Sequence, residues 1–445
     1  MSFVLLPCEI YHREFDAKLI LASHLASKYG ISSIIGYDKH FPPLARSLKG
    51  CTLMDKSCSS IMWNTRLKPV LENSGSVIVS DEEGFNNITD SNYSTWASRL
   101  DLTAAQSINT YACWGKIDMD FFSKFSQLRS KINVLGNCRS DLVNKLGRSL
   151  YYDLSQSLVK TFGNYILCSD NFCVEHREGD YLPPVFDKPS IENDKARYEF
   201  VSRQKSQSSR RDIFASYLEH AARKNPSINF IIRPHPCSDH RWWSHKFWNL
   251  RNVHILYLHN VDPWLHGAKA LISMGCTTSL QSIIASVPVI EILDHSTNDL
   301  ESQNLGFGHL YTRLHASTLQ DFMSCLKLAF NSPQESFTNI TDFELNWHNS
   351  LYCSSSSVFA AHIQSLSPSV CSNYIADNLQ ILSQYSAHRS KNPLLTNSTK
   401  WFPTSLDLVN TLHHSICKSF NLRASKIGKV CRDLYFIQAS DDNSI

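Results

Sequence analysis

Short apolar runs alternate with amphipathic stretches along the first 140 residues. Phe3–Leu6 reads as a buried strand, and Arg13–Lys28 then sets Phe15, Leu19, Ala22 and Ala26 at helical spacing. Ile31–Ile35 (closed by Gly36), Ser76–Ser80, Tyr111–Trp114 and Ile132–Leu135 read as further strands, with a helix over Met119–Leu128 before the last. Strands alternating with helices of about 10–15 residues imply βαβ units and a parallel sheet.

A helical connector over Asp141–Thr161 follows, and then the pattern restarts. Tyr165–Cys168, Phe230–Arg233, Val253–Leu256, Ala270–Ser273 and Val287–Leu293 read as strands. Arg211–Lys224, Pro263–Ala268, Thr278–Ala285 and Thr318–Phe330 read as helices. Glu178–Ser209, with Pro183-Pro184 and several charges, reads as an insertion or mobile loop, and the chain beyond residue 341 is Ser-rich and mainly helical. The expected organisation is therefore α/β: a Rossmann-like domain over residues 1–140, a second over 141–340 facing it across a cleft, and a helical extension over 341–445. In open α/β sheets, ligands bind outside the carboxyl ends of the strands. The residues to inspect are Glu9, Asp81–Gly84, Asp170-Asn171, Arg233–Pro236 and Gly275–Ser279.

Composition narrows the function classes. The chain has 445 residues, 43 Lys+Arg against 40 Asp+Glu, and a net charge of +3. That balance argues against a nucleic-acid partner, which calls for a basic stripe. With 19% charged and 11% aromatic residues it reads as a packed globular protein. Only 15 glycines are present, and neither a Gly-rich phosphate loop nor a zinc-protease or hydrolase motif occurs. None of the 14 cysteines forms a C-x-x-C pair, which favours reduced, buried thiols and a cytosolic location. The N-terminus lacks the basic leader of a signal peptide, and no apolar window spans a bilayer. The four Asn-x-Ser/Thr sequons read as chance.

Several clusters carry candidate chemistry, each beside a plainer alternative. Gly275-Cys276-Thr277-Thr278-Ser279, between a strand and a helix, has the donors of a phosphate-sized anion site, or is an ordinary helix cap. Arg233 and His235, framed by Pro234 and Pro236, suit contact with a diphosphate or ribose, or form a surface loop. In Asp81-Glu82-Glu83 mutual repulsion favours an acid/base group facing the cleft, or the three form a solvated acidic turn. Asp170 is a nucleophile or a turn residue. Asp118-Met-Asp120 has metal-site spacing but opens a helix, where carboxylates also favour the dipole. Lys418, Arg423, Lys426, Lys429 and Arg432 lie among apolar residues. They read as a basic amphipathic segment for peripheral contact with the inner membrane's cytoplasmic face, or as a solvated helix on the core.

Arg13-Glu14-Phe-Asp-Ala-Lys-Leu-Ile, Asp81-Glu-Glu-Gly84, Gly136-Asn-Cys-Arg139-Ser-Asp141, Asn171-Phe172, Arg233-Pro-His-Pro236, Asp262-Pro-Trp264 and Gly275-Cys-Thr-Thr278 occur in that order over residues 3–295. This series resembles bacterial surface-carbohydrate biosynthesis proteins of the GT-B glycosyltransferase group, in particular the retaining β-Kdo transferases that use CMP-Kdo. The resemblance implies metal-independent transfer of a sugar from a CMP-linked donor to a glycan or glycolipid acceptor, with no further cofactor. By it, Arg233, His235, Pro236 and Gly275, Cys276, Thr277, Thr278 and Ser279 would bind the nucleotide. Glu82 or Glu83 would serve as acid/base, Asp170 as nucleophile, and Arg13, Glu14, Arg139 and Asn171 would hold substrate. The sequence departs from the family at Cys138, at Met274, and at Gln281-Ser282, where a carboxylate is replaced. A CDP-glycerol polyol-phosphate transferase and a non-catalytic glycan-assembly protein are the alternatives.

Overall fold

The computed structural model describes residues 3–82, 100–172, 194–235, 238–293, 311–331, 354–366, 372–391 and 404–438. The chain divides into two units, Met1–Gly84 with Ile88–Leu150 and Phe343–Ile445, and Phe85–Asn87 with Tyr151–Asp342.

In the first unit, β1 (Phe3–Cys8), β2 (Ser32–Tyr37), β3 (Thr52–Asp55), β4 (Ser76–Ser80), β5 (Thr110–Cys113) and β6 (Ile132–Val134) run parallel, in spatial order β2-β1-β3-β4-β5-β6. Strands β1 to β5 are buried along their whole length, as expected of parallel strands covered on both faces. Helix Tyr11–Tyr29 buries Phe15, Leu19, Ala22 and Ala26 and stops at Gly30, whose φ of +62° is the left-handed cap that glycine adopts cheaply. Strand β3 is an element the hydrophobic pattern did not single out.

The second unit holds β7 (Tyr165–Ser169), β8 (Asn229–Arg233), β9 (Val253–Ile255), β10 (Ala270–Ser273), β11 (Val289–Ile292) and β12 (Leu314–Ala316). They form one parallel sheet in the order β12-β11-β10-β7-β8-β9. Counted from its own first strand this is the doubly wound order 3-2-1-4-5-6, whose switch point falls between β7 and β10. Its core packs Ile166, Phe214, Phe230, Trp243, Ile272 and Phe322. Helix Asp194–Lys224 is 31 residues long, so 194–209, expected as part of a loop, are helical; residues 178–193 of that expectation lie outside the described residues.

The C-terminal region is not a separate helical extension. Its described parts belong to the first unit and end in a hairpin, β13 (Lys426–Cys431) and β14 (Leu434–Gln438). Strand β14 pairs antiparallel with β2, extending the sheet to eight strands. Leu434 is in register with Gly36, where any Cβ would collide with the Asp433 carbonyl; the glycine lets the hairpin dock. Asp141 staples the same region from within, accepting from Ser355 N–H (2.9 Å), Ser356 N–H (2.8 Å) and Ser354 Oγ (2.9 Å) at the start of helix Ser355–Leu366. Burial pushes its carboxyl up to about 6, against the pull of those bonds.

The basic amphipathic segment is divided between the end of a helix and an edge strand. Helix Leu406–Phe420 ends at Asn421 in the left-handed conformation (φ 52°). Lys418 therefore sits in its last turn, while Lys426 and Lys429 lie exposed on the edge strand β13. Lysines on an edge discourage pairing with another sheet.

Candidate functional site

The second unit gathers its sequence-predicted residues at the switch point. Strand β7 delivers Ser169, Asp170 and Asn171; β8 delivers Arg233 and His235; β10 runs into Gly275–Ser279. Pro236 lies outside the described residues.

Asp170 is 3% exposed and both its carboxylate oxygens are occupied. Oδ1 accepts from Phe172 N–H (2.7 Å), and Oδ2 accepts from Trp243 Nε1–H (2.8 Å) and His235 N–H (3.1 Å). A carboxylate held by three donors acts as a brace at this strand end. What Asp170 does is fix the backbone at His235, whose side chain is half-buried at the strand end.

Arg233 is buried at the end of β8. Its guanidinium donates to the carbonyls of Leu258 (2.6 Å) and His259 (2.8 Å) and lies 5.6 Å from the Tyr257 ring and 5.7 Å from the Trp264 ring. Burial lowers it to about 10. It holds the turn after β9, where His259 has φ +60°, a strained conformation for a residue with a side chain.

The Gly275–Ser279 turn is organised from beneath. Gly275 (φ +79°) donates its N–H to Glu291 Oε1 (2.7 Å), and Cys276 N–H donates to Ser273 Oγ (3.1 Å). Ser279 Oγ lies 2.9 Å from Ser273 Oγ and 3.3 Å from Glu291 Oε2. Two backbone donors of an anion site thus face inward. Thr277 occupies the N-cap position of helix Thr278–Ile284 without a side-chain cap bond, so plain capping does not describe it. Facing β7, Thr278 Oγ1 lies 3.3 Å from Ser169 Oγ and 3.2 Å from Cys276 Sγ, and Ser169 Oγ lies 3.2 Å from that sulfur. Asn171 Nδ2 donates to the carbonyls of Met274 (3.3 Å) and Gly275 (3.1 Å), closing the gap between the two strand ends. Cys276, Thr277 and Thr278 remain partly exposed. Gln281 donates its amide to the buried Asp262 Oδ1 (2.8 Å), a bond that a glutamate at this position would turn into carboxylate repulsion.

In the first unit, the predicted residues form a buried ion network. Lys18, 2% exposed, donates to Pro7 O (2.6 Å) and pairs with Glu82 (3.2 Å) and Glu14 (3.4 Å). Burial alone would lower its ammonium; Glu82 and Glu14 reverse this and hold it above the ordinary range. Glu14 also accepts from Glu9 N–H (2.8 Å) and lies 3.5 Å from Arg13, which is part-exposed. Arg139 donates to Glu82 O (2.6 Å). Asp81 and Glu82 are thus buried, not a solvated turn, and Glu82 is an ion-pair partner. Glu14 and Arg139 are buried. Glu83 lies outside the described residues. The sequence had flagged Glu14 and Glu82 but not Lys18, the cation between them; a lysine on the buried face of an otherwise apolar helix was its signal.

Asp118 and Asp120 diverge. Asp118 is buried and accepts from Trp114 N–H (2.7 Å), its carboxyl pushed up to about 7 by burial, whereas Asp120 is exposed beside Lys116. Among the described residues no group of three or more His, Cys, Asp or Glu side chains is placed to hold a metal ion. No described helix is long and apolar enough to cross a membrane. The ten described cysteines are free, and nine of them are buried; Cys276 is the partly exposed one.

No family model and no curated protein matches the sequence. Among solved structures, a UDP-GlcNAc 2-epimerase from Neisseria meningitidis bound to UDP-GlcNAc superposes with TM-score 0.50 at 13% identity, over 81% of this chain and 99% of that one. The wall teichoic acid polymerase TagF soaked with CDPG gives TM-score 0.50 at 10% identity, over 82% and 88%. A further UDP-N-acetylglucosamine 2-epimerase gives TM-score 0.50 at 10% identity, over 80% and 93%. At such identities the likeness concerns the fold: the chain has the α/β architecture of GT-B proteins, built from two Rossmann-like units.

Proposed function

We propose that this chain is an enzyme of bacterial surface-carbohydrate assembly that transfers a sugar or polyol unit from a nucleotide-linked donor to a glycan or glycolipid. The observation that carries the reading is the switch point of the second unit. There Ser169, Cys276 and Thr278 converge within 3.3 Å of one another at the ends of β7 and β10, on a turn held from beneath. Ligands of doubly wound sheets sit at this place. Hydroxyl donors on a rigid turn suit phosphate oxygens, and His235, held by Asp170, stands at the neighbouring strand end for the nucleotide.

The first donor class is a CMP-linked sugar, a ulosonic acid such as Kdo included, as the sequence resemblance implies. A second reading, transfer from CDP-glycerol, is favoured by the likeness to TagF, which was soaked with CDPG. The catalytic carboxylate is left to Glu83, since Glu82 and Asp170 are committed to structural bonds.

Thermal-shift measurement with CMP, CDP, UDP and their sugar or glycerol conjugates tests the proposal, because a ligand that binds the folded state raises the melting temperature with its occupancy. Stabilisation by one cytidine nucleotide, reduced in Thr278→Val and His235→Ala, is expected. No shift with any nucleotide, in a protein that still binds a glycan, would make it a non-catalytic assembly protein.

A further inference from the structure

Glu291 stands beneath the Gly275–Ser279 turn, in the middle of β11 and wholly buried among Val289, Ile290 and Ile292. A carboxylate in so apolar a strand is costly unless hydrogen bonds offset its loss of water. Here they do: it accepts from Gly275 N–H (2.7 Å), Ser273 Oγ (3.4 Å) and Ser279 Oγ (3.3 Å). The first of these bonds fixes Gly275 in its left-handed conformation, and with it the direction in which Cys276, Thr277 and Thr278 are presented.

Among the described residues, few charges face Glu291. From helix Asp194–Lys224 comes Arg210, whose guanidinium donates to Met274 O (2.8 Å) and whose field reaches the carboxylate. On β12 its register partner His315 is exposed, and Asp321 and Lys327 of helix Leu319–Asn331 are exposed as well. Strand β10 and helix Thr278–Ile284 carry no charged side chain. A phosphate settling on the turn would bring a second anion close above the first, with Arg233 already spent on the carbonyls of Leu258 and His259. Like charges at close range favour protonation of one of them.

We propose that Glu291 is the positioning residue of this turn, and that a phosphate group enters the turn together with one proton from solvent, held on the Glu291 carboxyl. This rests on the nucleotide reading above. The carboxyl is suited to the exchange: burial pushes it up to about 7, with the Gly275, Ser273 and Ser279 bonds and Arg210 pulling the other way. Each further unit of upward shift on ligand binding corresponds to about tenfold in affinity between the protonated and ionised forms.

Isothermal titration of the full chain with CMP and with UDP, in two buffers of different ionisation enthalpy, counts the protons taken up. The wild type should take up a fraction of a proton, most near pH 7, and bind up to about tenfold more weakly at pH 8 than at pH 6. Glu291→Gln keeps an oxygen for Gly275 N–H and should bind without that uptake. Glu291→Ala loses the brace and should bind about tenfold or more weakly at any pH. Wild-type binding with no proton uptake, or uptake unchanged in Glu291→Gln, overturns the proposal. Should the variants not fold, the wild-type proton count with a cytidine phosphodiester decides it, because a diester has no ionisation near pH 6–7 to add to the count. A wild type that binds neither nucleotide overturns the nucleotide reading and this proposal with it.

Discussion

The two units finish their central strands in opposite ways. In the first, the charges at the strand ends pair with one another inside the protein: Lys18 lies between Glu14 and Glu82, and Arg139 holds the Glu82 backbone. In the second, the charged groups serve as props. Asp170, Arg233 and Glu291 each bind backbone N–H or C=O groups of a neighbouring turn, and smaller side chains, Cys276 and Thr278, are left partly exposed beside the buried Ser169. A charged cluster at a strand end is therefore no sign by itself of a ligand contact. What separates the units is whether the charges are used up in pairs or used to aim neutral donors.

Removing Lys18 should break this contrast most severely. Lys18→Met leaves two buried carboxylates without their cation and should cost about 3–5 kcal/mol. Urea denaturation followed by hydrogen exchange should show the first unit losing protection while the second keeps it; a loss below about 1 kcal/mol would mean that the network is not holding the unit together.

Asp170→Ala comes next. It strands the Trp243, His235 and Phe172 N–H groups, each unpaired buried donor costing about 1–3 kcal/mol. Stability of the second unit should fall together with nucleotide affinity. Asp170→Asn, which retains an acceptor, should keep most of both. A folded Asp170→Asn protein that binds nucleotide normally yet has lost turnover would make Asp170 the nucleophile.

Thr278→Val removes a rim hydroxyl without touching a brace. Nucleotide affinity should drop about tenfold, the value of a hydrogen bond to a charged oxygen, with the melting temperature nearly unchanged. Equal losses of stability and affinity would make Thr278 another prop.

A separate effect lies in the pH dependence of stability. Glu291 is held at about 7 in the folded unit, above its unfolded value. Its contribution is therefore complete below about pH 4 and is lost as the pH rises towards 7, by at most about 1.4 kcal/mol per pH unit. Glu291→Gln should flatten that part of the curve, and a wild-type slope retained in the variant would assign it to other groups.

Much of the fold was legible in the sequence. The strands at Phe3, Ser76, Tyr165, Phe230 and Ala270 announce themselves as apolar runs between helical stretches, because parallel strands are buried on both faces. Strand β12 has three residues with an exposed histidine at its centre, too short for a period to emerge. The hairpin β13–β14 was hidden by its lysines, which suit a surface helix and an edge strand equally.

The strand-end residues of the candidate site were legible in the sequence, but their hydrogen-bond partners were not. Strand-end logic located Asp170, Arg233 and Gly275–Ser279, while their partners lie far along the chain: Trp243 for Asp170, Leu258 and His259 for Arg233, Glu291 for Gly275. No local pattern encodes such pairings. Glu291 did leave one signal, a carboxylate in the otherwise apolar run Val289–Ile292.

Cys276 offers the most direct test of the nucleotide site, since it is partly exposed where the other described cysteines are buried. Alkylation of the native protein, with the modified peptides resolved by mass spectrometry, should label Cys276 readily and be slowed about tenfold or more by saturating nucleotide. Unchanged labelling of Cys276 at a nucleotide concentration that stabilises the protein would place the nucleotide elsewhere and contradict the assignment of the turn.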